Sequence, residues 1–303
     1  MRVGFLNNQI DNRGTGNAVF DYAHYNEEIL GNESYIYTLD HSPQDIQMYL
    51  KVVRRFGPPN DFPISKLDVL YHIKSGAIEG TTQWAAKRYV VHAVFDYQPH
   101  GDRYAVISPW MGRIHNSPYV PHIVSLPETT VDLRGTLGIP KDAIVFGRYG
   151  GADSFDIPFV WSAINRALKT NKNIWFLFMN TNQPDDRLID RSRMIFLIPT
   201  ADSTIKREFI NTCDAMLHAR QRGETFGISV GEFALAKKQI VTYGLSGERS
   251  HLEDFSCFTY NDEEQLYEML SEPEWVHEPI SYNYYTEYTP EKVMKKFKEV
   301  FLD

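Results

Sequence analysis

The chain has 303 residues, enough for two domains of ordinary size or one large domain. Its 39 acidic and 31 basic residues leave a net charge of −8, which argues against general nucleic-acid binding and against attraction to an anionic membrane surface. The two cysteines, Cys213 and Cys257, form neither a metal-ligand spacing nor a disulfide framework, so we expect a reducing, cytoplasmic environment. The longest strongly apolar stretch begins at Ile174 and is far too short to cross a bilayer, and the apolar amino terminus indicates a first β-strand instead of a signal peptide.

The first part of the chain alternates short apolar strands with amphipathic helices. Helical spacing of apolar residues predicts helices over 17–30 and 43–56, the second opened by the Ser42-Pro43 start signal. Strands are predicted at 3–6, 34–38, 67–73, 89–95 and 104–107. This alternation is typical of an α/β layer around a parallel sheet.

A second series of the same kind follows. Its predicted strands are 144–147, 174–178, 195–198, 215–218 and 239–242, and its predicted helices are 158–168, 203–211 and 228–236. Two series of similar length predict two doubly wound domains, 1–125 and 126–289, joined near 121–130. A basic amphipathic helix over 290–303 then either closes the second domain or crosses back to the first.

The most specific feature is a pair of carboxylates in the segment 223–243. Glu224 lies in a glycine-containing turn, and Glu232 follows eight positions later inside the next predicted helix. Eight helical residues rise ~12 Å, which is wider than the roughly 5–9.5 Å between the acid and base of a glycosidase. The spacing suits two contacts on one elongated ligand, such as the sugar and the ribose of a nucleotide-sugar. The helix amino terminus between them would direct its free N–H groups at the diphosphate.

This segment reads E-T-F-G-I-S-V-G-E-F-A-L-A, which resembles the E-G-F-G-x-x-x-x-E-A-x-A motif of retaining GT-B glycosyltransferases, especially family 4. The resemblance implies an α/β, GT-B-like fold in which two Rossmann-like domains face a cleft. It also implies that Glu224 contacts the hydroxyls of the donor sugar and Glu232 the ribose. Phe226 and Gly227 match the Phe-Gly pair of the motif and are assigned to the same donor site.

A second segment, I-V-F-G-R-Y-G-G-A-D-S-F-D, resembles the strand that opens the carboxyl-terminal domain of these enzymes. Arg148 then stands where the family's arginine neutralises the donor diphosphate, a role in which a cation stabilises the leaving group. The lysine that usually follows some five residues later is missing, and the stretch holds Asp153, Ser154 and Asp156 instead. The candidates to replace that lysine are Lys74, Arg220, Arg222 and a backbone nest at Gly150-Gly151.

Four further features are candidates for the site. Gly14 and Gly16 lie in the predicted loop after the first strand, where glycines let the backbone approach a phosphate or sugar closely. His92 ends an apolar strand at the predicted carboxyl edge of the sheet, where such folds bind ligands and where the family often has a histidine near the donor sugar. The alternative for His92 is a core histidine bonded to a backbone carbonyl. Thr200 is assigned to nucleotide binding, and His218 precedes the carboxylate motif and is a candidate to line the same cleft.

The resemblance implies a retaining glycosyltransferase that uses a UDP- or GDP-sugar as substrate, with a glycan or a modified nucleobase as acceptor. No histidine spacing typical of a metal site occurs, so we expect neither a metal nor a cofactor. A nucleotide-sugar epimerase or a phosphorylase could use the same two-domain cleft. A further alternative is an NAD-dependent oxidoreductase, in which Gly14 and Gly16 would belong to a dinucleotide-binding loop and Asp40 would bind the ribose. A non-catalytic sugar-nucleotide sensor would keep the binding contacts without transfer.

Overall fold

The computed structural model describes residues 1–40, 45–78, 84–184, 191–279 and 285–303. The chain divides into two compact units. Unit 1 comprises Met1–Val124 and Glu287–Asp303, and unit 2 comprises Ser125–Thr286. Each unit is built around its own parallel sheet, as the two successive strand–helix series predict.

Unit 1 contains a five-stranded parallel sheet in the order β2-β1-β3-β4-β5. Its strands are β1 (Arg2–Asn7), β2 (Glu33–Thr38), β3 (Val69–Lys74), β4 (Tyr89–Ala93) and β5 (Arg103–Val106), and the helices among them are α1 (Gly14–Glu28), α2 (Ile46–Phe56) and α3 (Pro109–His115). Strand β3 is buried along its whole length, as expected for a central parallel strand covered on both faces. The strand order reverses between β1 and β3, because β2 lies on one side of β1 and the later strands lie on the other.

In unit 1, one helix start differs from the sequence prediction, and the predicted start of a second helix falls outside the described residues. Helix α1 begins at Gly14, three residues before the predicted start, so the glycine loop is shorter than expected. The predicted start of the second helix, Ser42-Pro43, falls outside the described residues. The described part of α2 begins at Ile46, where the Asp45 side chain accepts a hydrogen bond from the Met48 N–H at 2.8 Å and caps the helix.

Unit 2 has a six-stranded parallel sheet in the order β13-β11-β9-β6-β7-β8. Its strands are β6 (Ile144–Tyr149), β7 (Ile174–Met179), β8 (Met194–Leu197), β9 (Ala215–Leu217), β11 (Gln239–Tyr243) and β13 (Phe258–Tyr260), and a separate pair is formed by β10 (Gly223–Glu224) and β12 (Glu248–Arg249). Its helices are α4 (Arg134–Leu137), α5 (Pro158–Thr170), α6 (Ser203–Thr212), α7 (Ile228–Leu235), α8 (Ser250–Glu253) and α9 (Glu263–Ser271). The order reverses between β6 and β9, since β7 and β8 extend the sheet on one side of β6 before the chain returns to β9 on the other.

The last helix, α10 (Pro290–Phe297), continues into a π-helical turn at Lys298–Leu302 and packs on unit 1. Its Phe297 ring lies 5.3 Å from the ring of Tyr22, 5.2 Å from Tyr71 and 6.1 Å from Phe5, measured between centroids. These contacts bury the apolar stripe of the helix. The sequence left open whether this helix closes the second domain or returns to the first, and in the structure it packs on the sheet of unit 1. Throughout the described ranges, no helix combines the length and the apolar character that a membrane span requires.

We expect Phe297→Ala to lower the free energy of unfolding by about 3–5 kcal/mol, because truncating a fully buried ring leaves a cavity that its neighbours only partly fill. Urea denaturation followed by circular dichroism measures this loss. Lys295→Ala, on an exposed position of the same helix, is the matched control and should change stability by no more than about 0.5 kcal/mol. Equal losses in the two variants would contradict the packing of α10 on unit 1.

Candidate functional site

Polar side chains of unit 2 gather where the strand order of its sheet reverses. Arg148 and Tyr149 end β6, and His218 directly follows β9, the neighbouring strand. Open α/β sheets bind ligands outside the carboxyl ends of their strands at such a reversal, because the loops of adjacent strands diverge there and leave a crevice. The topology thus brings residues from distant parts of the chain to the usual binding position of the fold.

The backbone around Glu224 is fixed by the short pairing of β10 with β12. Gly223 has a φ of +86°, and a Cβ at this position would lie 2.0 Å from the backbone oxygen of Glu248, so only glycine fits. The N–H of Glu224 donates to Nδ1 of His251 at 3.3 Å. Burial and the neighbouring His218 lower the pKa of His251 to about 3, so its ring is neutral and able to accept this bond.

The carboxylate of Glu224 accepts two hydrogen bonds from side chains. Nη1 of Arg220 lies 2.7 Å from Oε2, and Nε2 of His218 lies 3.2 Å from Oε1. His218 is itself held in place, because its Nδ1 contacts the hydroxyl of Thr242 at 2.7 Å and its backbone oxygen accepts from the hydroxyl of Tyr260 at 3.0 Å. The carboxylate therefore has a defined orientation at the sheet edge.

These donors determine the charge state of Glu224. Burial alone would raise its pKa, but the hydrogen bond from His218 and the charge of Arg220 more than offset burial and hold the pKa at about 2. Glu224 is therefore an anion at neutral pH. It can accept hydrogen bonds, but it cannot donate a proton.

The second carboxylate of the motif, Glu232, lies within α7 and is buried. The hydroxyl of Tyr149, at the end of β6, donates to it. Helix α7 starts directly after Gly227, whose φ of +86° is the left-handed conformation that favours glycine, and no side chain among the described residues caps the helix. The first N–H groups of α7 thus lie along the chain between Glu224 and Glu232. Phe226 is buried against the ring of Phe255 and belongs to the core, not to a ligand surface.

Arg148 is almost wholly buried, and its guanidinium bonds to the protein itself. Nη1 donates to the backbone oxygen of Asn180 and to the Thr181 hydroxyl, while Nη2 donates to the backbone oxygen of Gly151 and to the Ser154 hydroxyl. Burial lowers its pKa to about 10, which leaves it charged. All four N–H bonds of the two terminal nitrogens are directed at these oxygens. The arginine therefore ties the loop after β6 to the loop after β7.

The other predicted donor-site residues of unit 2 lie in varied surroundings. The Arg222 side chain is 53 % exposed and pairs with Glu248 at 3.2 Å. The backbone oxygen of Gly150 accepts from the side chain of Asn180 at 2.7 Å. The hydroxyl of Thr200, after β8, accepts from the N–H of Asp202 at 3.1 Å, just before α6.

His92 belongs to the core of unit 1. Its Nε2 donates to the backbone oxygen of Val120 at 2.9 Å, and its Nδ1 accepts from the hydroxyl of Tyr71 at 2.7 Å. Burial lowers its pKa to about 3 in spite of these carbonyl contacts. Both ring nitrogens are hydrogen-bonded within a fully buried site, so His92 is a core histidine. The prediction that His92 is a catalytic residue is therefore wrong.

Three further assignments fall in unit 1. Gly14 and Gly16 lie in the first turn of α1 instead of a ligand-facing loop. A Cβ on Gly16 would lie 2.1 Å from the backbone oxygen of Asp11, so this glycine is required by the close approach of the chain to itself. Lys74 is buried at the end of β3.

Sequence reasoning missed three residues of the cluster in unit 2. They are Tyr149, Thr242 and His251, which contact Glu232, His218 and Glu224 respectively. Thr242 ends a predicted strand and Tyr149 lies two residues beyond the end of another, so their position at the sheet edge could have identified them. His251 lies in a short helix and enters the cluster only through the fold. In the described part of the chain, no group of three or more histidine, cysteine or carboxylate side chains is arranged to hold a metal ion.

No family model matches the sequence, and no curated protein matches it. Solved structures do match. HepE of Anabaena in complex with UDP-glucose has a TM-score of 0.67 and 14 % identity, over 99 % of this chain and 95 % of HepE. WaaG, a glycosyltransferase involved in lipopolysaccharide biosynthesis, has a TM-score of 0.63 and 11 % identity over 100 % of both chains. AviGT4, a glycosyltransferase involved in avilamycin A biosynthesis, has a TM-score of 0.60 and 12 % identity over 99 % and 97 %. These likenesses, with the parallel sheets, confirm the predicted α/β, GT-B-like fold class.

The pKa of Glu224 predicts a pH-dependent contribution to stability. Because its pKa falls from 4.5 to about 2 on folding, the ionised carboxylate stabilises the fold above pH 4.5, and this contribution is lost as the pH drops toward 2. The difference in unfolding free energy between the wild type and Glu224→Gln should therefore shrink over that interval, as measured by urea denaturation at several pH values. Glu264→Gln, at an exposed ion pair, should give a small and nearly constant difference. A gap that widened on acidification would contradict the anionic state of Glu224.

Arg148→Gln should reduce the free energy of unfolding by about 2–4 kcal/mol, because it leaves buried oxygens of two loops without their charged donor. Thermal and urea unfolding measure the loss. Arg166→Gln is the control, since that arginine is 39 % exposed and pairs with glutamates at the surface. If both arginine variants were equally stable, Arg148 would not be the tie between the loops.

Proposed function

We propose that the protein is a retaining glycosyltransferase, of the family 4 type, that transfers a sugar from a UDP- or GDP-sugar. One observation carries the proposal. Two oriented carboxylates, Glu224 and Glu232, bracket an uncapped helix start at the strand-order reversal of unit 2. The chain shares its fold with glycosyltransferases, which supports the proposed transfer reaction. One of these structural neighbours was solved with UDP-glucose.

Each element of this arrangement suits one part of a nucleotide-sugar. The anionic Glu224 accepts hydrogen bonds from the hydroxyls of the donor sugar. Glu232, oriented by Tyr149, accepts from the ribose. The first N–H groups of α7 lie between the two and bind the diphosphate, since an uncapped helix amino terminus favours an anion.

The transfer breaks the bond between the anomeric carbon and the diphosphate oxygen, and it forms a bond from the acceptor oxygen to the same carbon on the same face of the ring. The departing diphosphate oxygen takes the proton of the acceptor hydroxyl. Glu224 remains an anion throughout and serves as a hydrogen-bond acceptor. The positive charge of the site stabilises the diphosphate as its negative charge develops.

We further propose that the reaction needs no metal and takes place in the cytoplasm, with a glycan or a modified nucleobase as acceptor. The uncapped helix start and the arginines beside it supply the positive charge that a bound cation would otherwise provide. A Cβ on Gly16 would clash with the backbone oxygen of Asp11, so the chain itself requires this glycine and no bound dinucleotide is needed to explain it. One of the features that favoured an oxidoreductase is thereby removed. Product analysis separates transfer from epimerisation and from phosphorolysis.

We expect Glu224→Ala to lower the transfer rate by about 100-fold or more, because it removes a fixed acceptor at the donor sugar. Glu232→Ala should weaken donor binding by roughly 10-fold or more through the loss of the ribose contact. A thermal-shift screen with UDP-, GDP- and TDP-sugars identifies the donor first, since a ligand bound only to the folded state raises the melting temperature.

Transfer is then measured with that donor, and the anomeric configuration of the product is read by NMR. Glu253→Ala is the matched control, as its carboxylate is 39 % exposed and pairs with Arg249. Rates near that of the wild type in both the Glu224 and Glu232 variants would reject the assignment. An inverted anomer would reject retention alone.

A further inference from the structure

The arginines near the strand-order reversal differ in how much of their hydrogen-bonding capacity the protein uses. Arg148 directs all four terminal N–H bonds at oxygens of its own loops. Arg222 is largely exposed and pairs with Glu248. Arg220, which follows β9, lies between these two arginines in exposure, with a side chain that is 24 % exposed.

Arg220 has a fixed backbone and a guanidinium with spare donors. Its backbone oxygen accepts from the N–H of Gly223 and from the hydroxyl of Ser246, each at 3.1 Å. Among the described residues, its guanidinium donates only to Glu224, through Nη1 at 2.7 Å. A guanidinium has five N–H bonds, so most of its donors remain for a ligand.

The position of Arg220 is tied to the start of α7 through Glu224. A Cβ built on Gly227 would lie 3.2 Å from both Cβ and Cγ of Glu224, so the Glu224 side chain rests against the residue that opens the helix. The other end of that side chain holds Arg220. The Glu224 side chain therefore contacts both the Arg220 guanidinium and Gly227, the residue directly before α7.

We propose that Arg220, not Arg148, makes the direct contact with the diphosphate of the donor, and that Glu224 holds Arg220 ready for it. This inference rests on the proposed function. Two nitrogens of a guanidinium fit two phosphate oxygens, and the spare donors of Arg220 allow this geometry. Arg148 acts behind it, by ordering the loops after β6 and β7.

The charges around Arg220 are compatible with an anion. Glu224 pairs with it directly, Asp153 and Asp156 lie nearby, and Arg148 contributes a second positive charge. The Asp156 carboxylate is already engaged, because it accepts from the N–H of Gln221 at 2.7 Å. Glu224 is thus the carboxylate that contacts the Arg220 guanidinium directly.

The experiment measures binding of UDP and GDP, which lack the sugar, and of uridine and guanosine, which also lack phosphate. Isothermal titration calorimetry compares the wild type with Arg220→Gln, Arg220→Lys, Glu224→Gln and the control Arg166→Gln. We expect Arg220→Gln to weaken diphosphate binding by about 10- to 100-fold, because it removes a hydrogen bond between charged groups. Nucleoside binding should be unchanged, since nucleosides lack the phosphates. Arg220→Lys should lose less, because it keeps the charge without the fork, and this variant carries the test if Arg220→Gln does not fold.

Arg166→Gln should bind the nucleoside diphosphate as tightly as the wild type. Glu224→Gln should weaken this binding by less than Arg220→Gln does, because it loosens the hold on Arg220 but keeps the guanidinium. Unchanged diphosphate affinity in both Arg220 variants, together with reduced transfer, would overturn the inference: Arg220 would then only orient Glu224, and the proposed function would stand. A wild type that binds neither UDP nor GDP would instead overturn the proposed function and this inference with it.

Discussion

At the carboxyl edge of the unit 2 sheet, the largely buried carboxylate of Glu224 accepts hydrogen bonds from Arg220 and His218. Burial disfavours an ionised carboxylate, and these two donors reverse that effect. The same contacts hold the backbone after β9, because His218 is fixed in turn by Thr242 at the end of β11. One charged interaction therefore links β9, β10 and β11. The start of α7 and the proposed donor site both depend on it.

The parallel topology explains why these groups meet. In a parallel sheet every strand ends at the same edge, so residues that follow β6, β9 and β11 converge although they are distant in the chain. Unit 1 also has a parallel sheet with a reversal in its strand order, but its polar groups are used differently. His92 bonds to Tyr71 and to a backbone carbonyl, and the rings of Phe297 in α10 and Phe301 in the turn after it pack on these residues. Similar residue types at similar strand positions thus support core packing in unit 1 and a polar cluster around Glu224 in unit 2.

Burial and hydrogen-bond partners also distinguish residues that look alike in the sequence. The sequence predicts that Arg148 contacts the donor diphosphate, yet its terminal nitrogens bond to four oxygens of the protein. Arg220 is only one of several candidates in the sequence to replace the missing lysine, yet it has spare hydrogen-bond donors beside Glu224. The glycines divide in the same way: Gly227 provides the left-handed residue that starts α7, whereas Gly16 only lets α1 pass close to Asp11. A motif names the residue type, but its neighbours determine what the side chain can do.

The sequence by itself determined the α/β class, two strand–helix series and the placement of Glu224 and Glu232 on either side of a helix start. These features depend on local periodicity and on spacing along the chain, which a sequence displays directly. Only the tertiary structure decided that the carboxyl-terminal helix packs on unit 1, that His92 lies in the core, and that Tyr149, Thr242 and His251 join the carboxylate cluster. Each of these depends on which strands become neighbours and which side chains lose access to water. Those are long-range contacts, and no local pattern of residues records them.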